Sequence, residues 1–553
     1  MILGLDVGGT HTDTALISPG GVARVVKTPT TSDLMQTLTF ALSRTLETIP
    51  LVNLERMVFS TTLATNAVVQ DQLRDVGMMV FAGPGLDPAA FSVGPSYHVI
   101  PGVVDHRGVE VVPPDEKAVE RARLEITSKG IDHLGIVGKF SVRHPKHELL
   151  VHSWVRDHFK YISLGHTVSG ALNFPRRIQT TYLNAAISDI HVRFVEALRA
   201  TLDCLGLTAP SFLLKPEGGA VLMERTLDHP AHTAQSGPAA SVVGAMALCG
   251  ANHTALVLDI GGTTTDMALL LDGRPLMNPN GIQLGPYKTL IPSLCTKSIG
   301  AGGDSQVRID ENGALKVGPN RLGPPAAMGG PAPTPTDAFI VLESMAAGKP
   351  HLACEAMKSL ARPLCSDPRS IAEAVIQRTA CHIAEKAREF IEEINSQPVY
   401  TIHEVIQGRY VQPEKIIVIG GPAPNFAPYL ERALGLPTIV PRYYKAANAV
   451  GAACARVTSE LTLHADTALG VVLIPEEDFQ QGIPPTFTIE EARALALDKL
   501  RERALREGAD PEGLKTRITE EGAYNMVRGF HKVGKNIRLK AQVTPGLYRR
   551  YSF

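Results

Sequence analysis

Aromatic side chains are scarce, at 5% of 553 residues, and Trp154 is the single tryptophan. Single-stranded nucleic acid is usually gripped by stacking on such rings, so that partner is disfavoured. Excess charge is lacking too. The chain has 54 basic and 55 acidic residues, which leaves no electrostatic footprint for nucleic acid or a membrane surface. The seven cysteines (Cys204, Cys249, Cys295, Cys354, Cys365, Cys381 and Cys454) include no CxxC pair. Such a scattered, odd set argues for reduced thiols in a cytosol rather than a disulfide framework. The least charged long stretch, residues 231–258, is mostly small side chains interrupted by Gln235, Asn252 and His253. A membrane span needs about 20 predominantly apolar residues, so none is expected. No basic leader or cleavage site precedes the first apolar run, and a cytoplasmic location is expected. No GxxxxGK[ST] occurs, which argues against a Walker-type phosphate site.

What is present is a repeated turn. Asp6-Val7-Gly8-Gly9-Thr10-His11-Thr12-Asp13 returns as Asp259-Ile260-Gly261-Gly262-Thr263-Thr264-Thr265-Asp266, with six of eight positions identical. Each copy lies between two short apolar runs, which reads as strand, tight Gly-Gly turn, strand. Glycine lets backbone N–H groups approach phosphate oxygens closely, and successive turn amides form an anion-binding concavity. The leading aspartates would be repelled by phosphate unless a cation stood between. Mg²⁺ suits that place, held by carboxylates, waters and phosphates. Two such tips suggest duplicated lobes gripping one phosphate chain, with ATP and Mg²⁺ as ligands. Asp6 and Asp259 are the candidate catalytic and metal-binding residues. Gly8, Gly9, Thr10, Thr12, Gly261, Gly262, Thr263 and Thr264 are candidates for the β- and γ-phosphates. Asp13 and Asp266 either join them or stabilise their own turns.

The length suits two to four domains. Strands and helices alternate up to about residue 169: a helix over 32–48 with Leu34, Leu38, Leu42 and Leu46 on one face, a strand at 57–60, a strand at 76–82, a helix at 116–129 and a strand at 134–140. One long helix is expected over 179–205 and a small-residue helix over 239–249. A Gly-rich loop, whose Gly302 and Gly303 are further nucleotide-binding candidates with Gly420 and Gly421, precedes a hairpin at 306–317 with an Asn312-Gly313 turn. Residues 318–336 read as a loop and 371–394 as a helix. A third strand, 415–419, ends in Gly420-Gly421 before a helix within 425–434. That turn can lie flat against a purine and ribose. Small residues at 446–456 suit close helix packing between lobes. The tail has one clear helix, 489–507.

The order of these motifs resembles the actin, sugar-kinase and heat-shock ATPase superfamily. More closely, the chain resembles the hydantoinase A/oxoprolinase family. The resemblance rests on both hairpins, on Ser60-Thr61-Thr62-Leu63-Ala64-Thr65-Asn66-Ala67, on Ser236-Gly237-Pro238-Ala239-Ala240 and on Ser298-Ile299-Gly300-Ala301-Gly302-Gly303, and it covers about residues 1–455. It implies an α/β fold of duplicated ribonuclease-H-like, actin-like ATPase lobes around a nucleotide cleft, followed by a small C-terminal α+β region. Three regions are expected, 1–172, 173–457 and 458–553. The resemblance also implies ATP-dependent chemistry on an amide, lactam or cyclic imide, a B-type partner subunit, and relatives that serve ketone carboxylases. Homo-oligomerisation is compatible with it. His11 stands where the family usually has phenylalanine, Asp304 where it usually has glycine, and the loop at 323–335 replaces the segment expected to touch substrate, so the substrate does not carry over. The chain is also shorter than the usual A subunit, mainly at its C-terminal end.

Other side chains keep two readings each. His144 and His147 offer metal ligands or form a hydrogen-bonded loop, and no partnering carboxylate is fixed by the sequence. His229 and His232 pose the same choice. Lys215 and Glu217 face the cleft or form a structural ion pair. The favoured mechanism is phosphorylation of a carbonyl oxygen, which turns a poor electrophile into a good one. A small-molecule kinase and an ATPase that regulates a protein partner are the rivals.

Overall fold

The computed structural model describes every residue except 10, 32, 48, 51–52, 251–252, 397–409 and 550–553. The repeated sequence builds a repeated sheet. In the first lobe Ile2–Val7 pairs antiparallel with His11–Ser18 and parallel with Arg56–Thr61. Gly21–Pro29 extends one side, and Ser211–Leu214 with Ala220–Leu222 the other. In the second lobe Ala255–Ile260 pairs antiparallel with Thr265–Leu271 and parallel with Lys415–Ile419. The registers match as well: Asp6 lies opposite Asp13, and Asp259 opposite Asp266. The duplicated lobes expected from the sequence are therefore present strand for strand around both hairpins. The first sheet takes strands from both sides of residue 172.

The described residues hold two further sheets of four or more strands. An all-parallel sheet orders Tyr161–Leu164, His133–Gly138, Gly77–Phe81 and Ser96–Val99. Its middle strands are buried throughout, as parallel strands covered on both faces must be. At the C-terminal end a five-stranded antiparallel sheet packs the Ile489–Arg506 helix through Ala492, Ala496, Leu500 and Ala504. This is the expected α+β region. Its longest pair, Thr516–Arg528 with His531–Val543, had not been foreseen.

Most expected helices and strands are found within a residue or two. The helix over 32–48 is Leu34–Leu46, with residues 32 and 48 outside the described ones. The long helix over 179–205 is instead two, Phe174–Ala186 and Ser188–Cys204, divided at Ile187 (φ −100°, ψ −1°). No helix among the described residues is long and apolar enough to cross a membrane. All seven cysteines are free.

Two helices of small residues hold the lobes together, Ser236–Cys249 and Ala447–Cys454. They touch backbone to backbone. A Cβ on Gly451 would lie 1.9 Å from the Ala240 carbonyl oxygen, and one on Gly244 would lie 2.0 Å from that of Ala447. Only glycine fits such a crossing.

Candidate active site

Both small-residue helices deliver a polar residue to the gap between the hairpins. Asn448, from Ala447–Cys454, donates through Nδ2 to Asp6 Oδ2 at 3.4 Å. Ser241, from Ser236–Cys249, bonds Asp259 Oδ2 at 2.5 Å, with Asn448 Oδ1 3.0 Å from the same hydroxyl. A polar chain therefore runs Asp6, Asn448, Ser241, Asp259 from one lobe to the other. The backbone-to-backbone helix crossing sets its length. Ser60 and Ser236, from two of the stretches singled out in the sequence, meet beside it at 3.2 Å.

The electrostatics show a site short of positive charge. Burial, with Asp13 and Asp259 nearby, pushes Asp6 up to about 6, against hydrogen bonds from Ser60 and Asn448. Burial also raises Asp259, opposed by Ser241 and Asn448. Asp266 is pushed up to about 6 by burial and then by Asp259. Asp6 Oδ1 is buried without a hydrogen-bond partner. An orphaned carboxylate oxygen facing further carboxylates is where a divalent cation fits, since carboxylate oxygens are its natural ligands.

The glycine turns gather around the second aspartate. Gly420 has φ +94°, and a Cβ there would lie 2.7 Å from Asp259 Oδ1. Gly303 N donates to Gly261 O at 2.9 Å, so the loop of Gly302 and Gly303 seats on the second hairpin turn. Gly9 and Gly421 have no atoms within 4 Å of a modest added Cβ, which leaves open faces for a ligand. Gly8 N closes its own turn on His11 O at 3.1 Å, and Gly261 N does the same on Thr264 O at 2.9 Å. Thr263 is exposed at the second tip and Thr264 half-buried beside it.

Two candidates remain. Thr10 lies outside the described residues. Thr12 is fully buried, and its hydroxyl meets Thr30 Oγ1 at 3.0 Å, while Thr30 donates to Gly8 O at 2.9 Å. Thr12 thus braces the hairpin from below. Its counterpart Thr265 does the same, donating to Ala301 O at 2.6 Å. The cause is strand periodicity: alternate residues face opposite sides, and Thr12 falls on the buried side. Asp13 pairs with Lys27 at 2.8 Å, the turn-stabilising reading.

The unusual residues His11 and Asp304 lie within electrostatic reach of each other and of Arg321. Arg321 bonds Asp304 Oδ2 at 3.1 Å and reaches Thr263 Oγ1 at 3.4 Å. A Cβ on Gly262 would lie 2.6 Å from Asp304 Oδ2, so this carboxylate covers the second turn.

Lys215 and Glu217 form an ion pair at 2.7 Å. They line a cavity of about 70 Å³ with His229 and His232, against Arg503 and Glu507 of the C-terminal region. Burial keeps both imidazoles neutral, pushing His229 down to about 3 and His232 well below its ordinary value. Asn448, Ser241 and Arg321 were not anticipated from sequence. For Ser241 and Asn448 the one available signal was a polar side chain inside a run of small residues.

A family model described as hydantoinase/oxoprolinase matches residues 177–461, and one described as the hydantoinase/oxoprolinase N-terminal region matches residues 2–159. The chain belongs to the hydantoinase/oxoprolinase family. It is 28% identical over 391 residues to the caprolactamase subunit alpha of Pseudomonas jessenii, covering 63% of this chain and 55% of that protein. It is 25% identical over 390 residues to the acetophenone carboxylase gamma subunit of Aromatoleum aromaticum, covering 61% and 52%. The chain thus spans about half the length of these relatives. The fold matches the crystal structure of the ATP-dependent caprolactamase from Pseudomonas jessenii with a TM-score of 0.74 and 20% identity, over 99% of this chain and 88% of that one.

Proposed function

We propose that this chain binds ATP between its two hairpins and activates the carbonyl oxygen of an amide, lactam or cyclic imide, as one subunit of a larger enzyme. The observation that carries this reading is the Asp6–Asn448–Ser241–Asp259 chain, with Asp6 Oδ1 left without a partner. Asp6 and Asp259 would hold Mg²⁺, which would offset the negative charge on the transferring phosphoryl group. Asn448 and Ser241 fix the rotamers of the two carboxylates, so neither must reorganise during the reaction. The open faces at Gly9 and Gly421 admit phosphate and adenosine, and Thr263 donates at the second tip. Closure of the lobes about the small-residue helices would exclude water and complete the site. Every group assembled here serves the nucleotide, so the chain alone is expected to hydrolyse ATP slowly and to need a B-type partner for turnover.

Oxygen phosphorylation has an isotopic signature. With a lactam or imide carrying ¹⁸O at its carbonyl, label should appear in inorganic phosphate during coupled turnover. Phosphate free of label would reject the mechanism, and a released phosphorylated product would instead mark a small-molecule kinase. The acetophenone carboxylase relative makes ketones worth testing beside lactams and imides, because a ketone oxygen can be activated the same way.

Asp304 should oppose the nucleotide. Its carboxylate covers the second turn and occupies Arg321. Asp304→Asn keeps the shape and removes the charge, and is expected to lower the KM for ATP about fivefold, equivalent to about 1 kcal/mol. An unchanged or higher KM in steady-state assays would show that Asp304 positions Arg321 rather than blocking the site.

A further inference from the structure

Away from the hairpins, the structure supplies the carboxylate that the sequence could not fix for His144 and His147. His147 lies in the first turn of the Lys146–Val155 helix, and His144 just precedes it. Glu110 begins the Glu110–Val112 strand, which pairs with Val103–Val104 in a small hairpin. The turn of that hairpin is fixed from three sides. Asp105 Oδ1 accepts from Arg107 N at 2.8 Å and Val109 N at 2.9 Å. Arg107 pairs with Asp466 of the C-terminal sheet at 3.1 Å. Arg143 donates to the His106 carbonyl. Glu110 is thereby held over the two imidazoles.

The donor geometry is compact. Glu110 Oε2 lies 2.8 Å from His147 Nε2 and 3.9 Å from His144 Nε2. One ligand atom from each of the three residues falls within 4.8 Å of the other two, the one such set among the described residues. The imidazole rings stand edge to face, at 86° with centroids 5.3 Å apart. An ordinary hydrogen bond accounts for Glu110 and His147, but it leaves His144 Nε2 buried with no hydrogen-bond partner. Burial, reinforced by His147, lowers the His144 pKa and keeps the ring in its neutral, ligating form.

We propose that Glu110, His144 and His147 form a binding site for one divalent transition-metal ion of the zinc class. Two imidazoles and a carboxylate suit such an ion, and three protein ligands leave a fourth position open to water or a small anion. His144 also borders a cavity of about 200 Å³ whose lining includes Asp466 and the basic side chains of Arg107, Arg143 and Lys146, which suit an anionic fourth ligand. The site stands apart from the Asp6–Asp259 chain and needs no nucleotide.

The test is a Co²⁺ titration of the chelator-treated full chain without ATP, followed by visible absorption. One equivalent should bind with the ligand-field bands of a low-coordinate nitrogen and oxygen centre, without a thiolate charge-transfer band, and Zn²⁺ should displace it. His144→Ala should weaken binding by at least about tenfold. Glu110→Gln, in an exposed hairpin where folding is not at stake, should do the same. Absence of a stoichiometric band, equal binding by both variants, or a thiolate band from the free cysteines would overturn the assignment.

Discussion

Replacing Asp6 or Asp259 with asparagine should lower ATP turnover by at least about 100-fold while the fold survives. Each variant keeps the size of the side chain and its bonds to Asn448 or Ser241, but removes a negative charge from the proposed cation site. Because burial is what raises these two carboxylates, neutralising either one should not cost stability. The loss therefore belongs to the reaction and not to the fold. Asp6 sits at about 6, so its neutral form gains as pH falls below that value. Half-saturation by the divalent ion should accordingly rise below about pH 6. Circular dichroism and steady-state ATPase rates check both points, and near-normal turnover in either folded variant would remove the two-hairpin grip.

The second large effect concerns the joint between the lobes. Gly451→Val should lower the apparent Tm by at least about 5 °C, in line with overpacking that costs about 3 kcal/mol. The added Cβ would lie 1.9 Å from the Ala240 carbonyl oxygen and 2.5 Å from Gly244 N, both backbone atoms that no rotamer change can clear. The two helices must separate instead. Asn448 and Ser241 ride on those helices, so the surviving folded protein should also lose ATPase activity. An unaltered melting curve would mean that the helices do not cross this closely.

The hairpins were legible because a duplicated Gly-Gly turn between apolar runs has few alternative readings. Asn448 and Ser241 were not, since each is a single polar residue whose meaning depends on which helix lies opposite. Thr12 shows a different limit. Its residue type suits a phosphate donor, yet the strand begins at His11 and turns the Thr12 hydroxyl inward to Thr30. Thr516–Arg528 escaped notice because nearly every residue is exposed or half-buried, so no alternation of apolar and polar side chains marks it. Glu110 could not be matched to His144 and His147 from spacing, because the Arg107–Asp466 contact that holds its hairpin spans hundreds of positions.

The central claim is that Asp6 and Asp259, one from each lobe, act on a single cation. A double-mutant cycle on ATP turnover tests it most directly, comparing Asp6→Asn, Asp259→Asn and the combined variant. If both carboxylates serve one ion, the combined variant should be little worse than either single one, because the first substitution already removes what the second would disturb. Losses that multiply, giving about 10,000-fold in the combined variant from about 100-fold in each, would mean independent actions and would contradict the shared site.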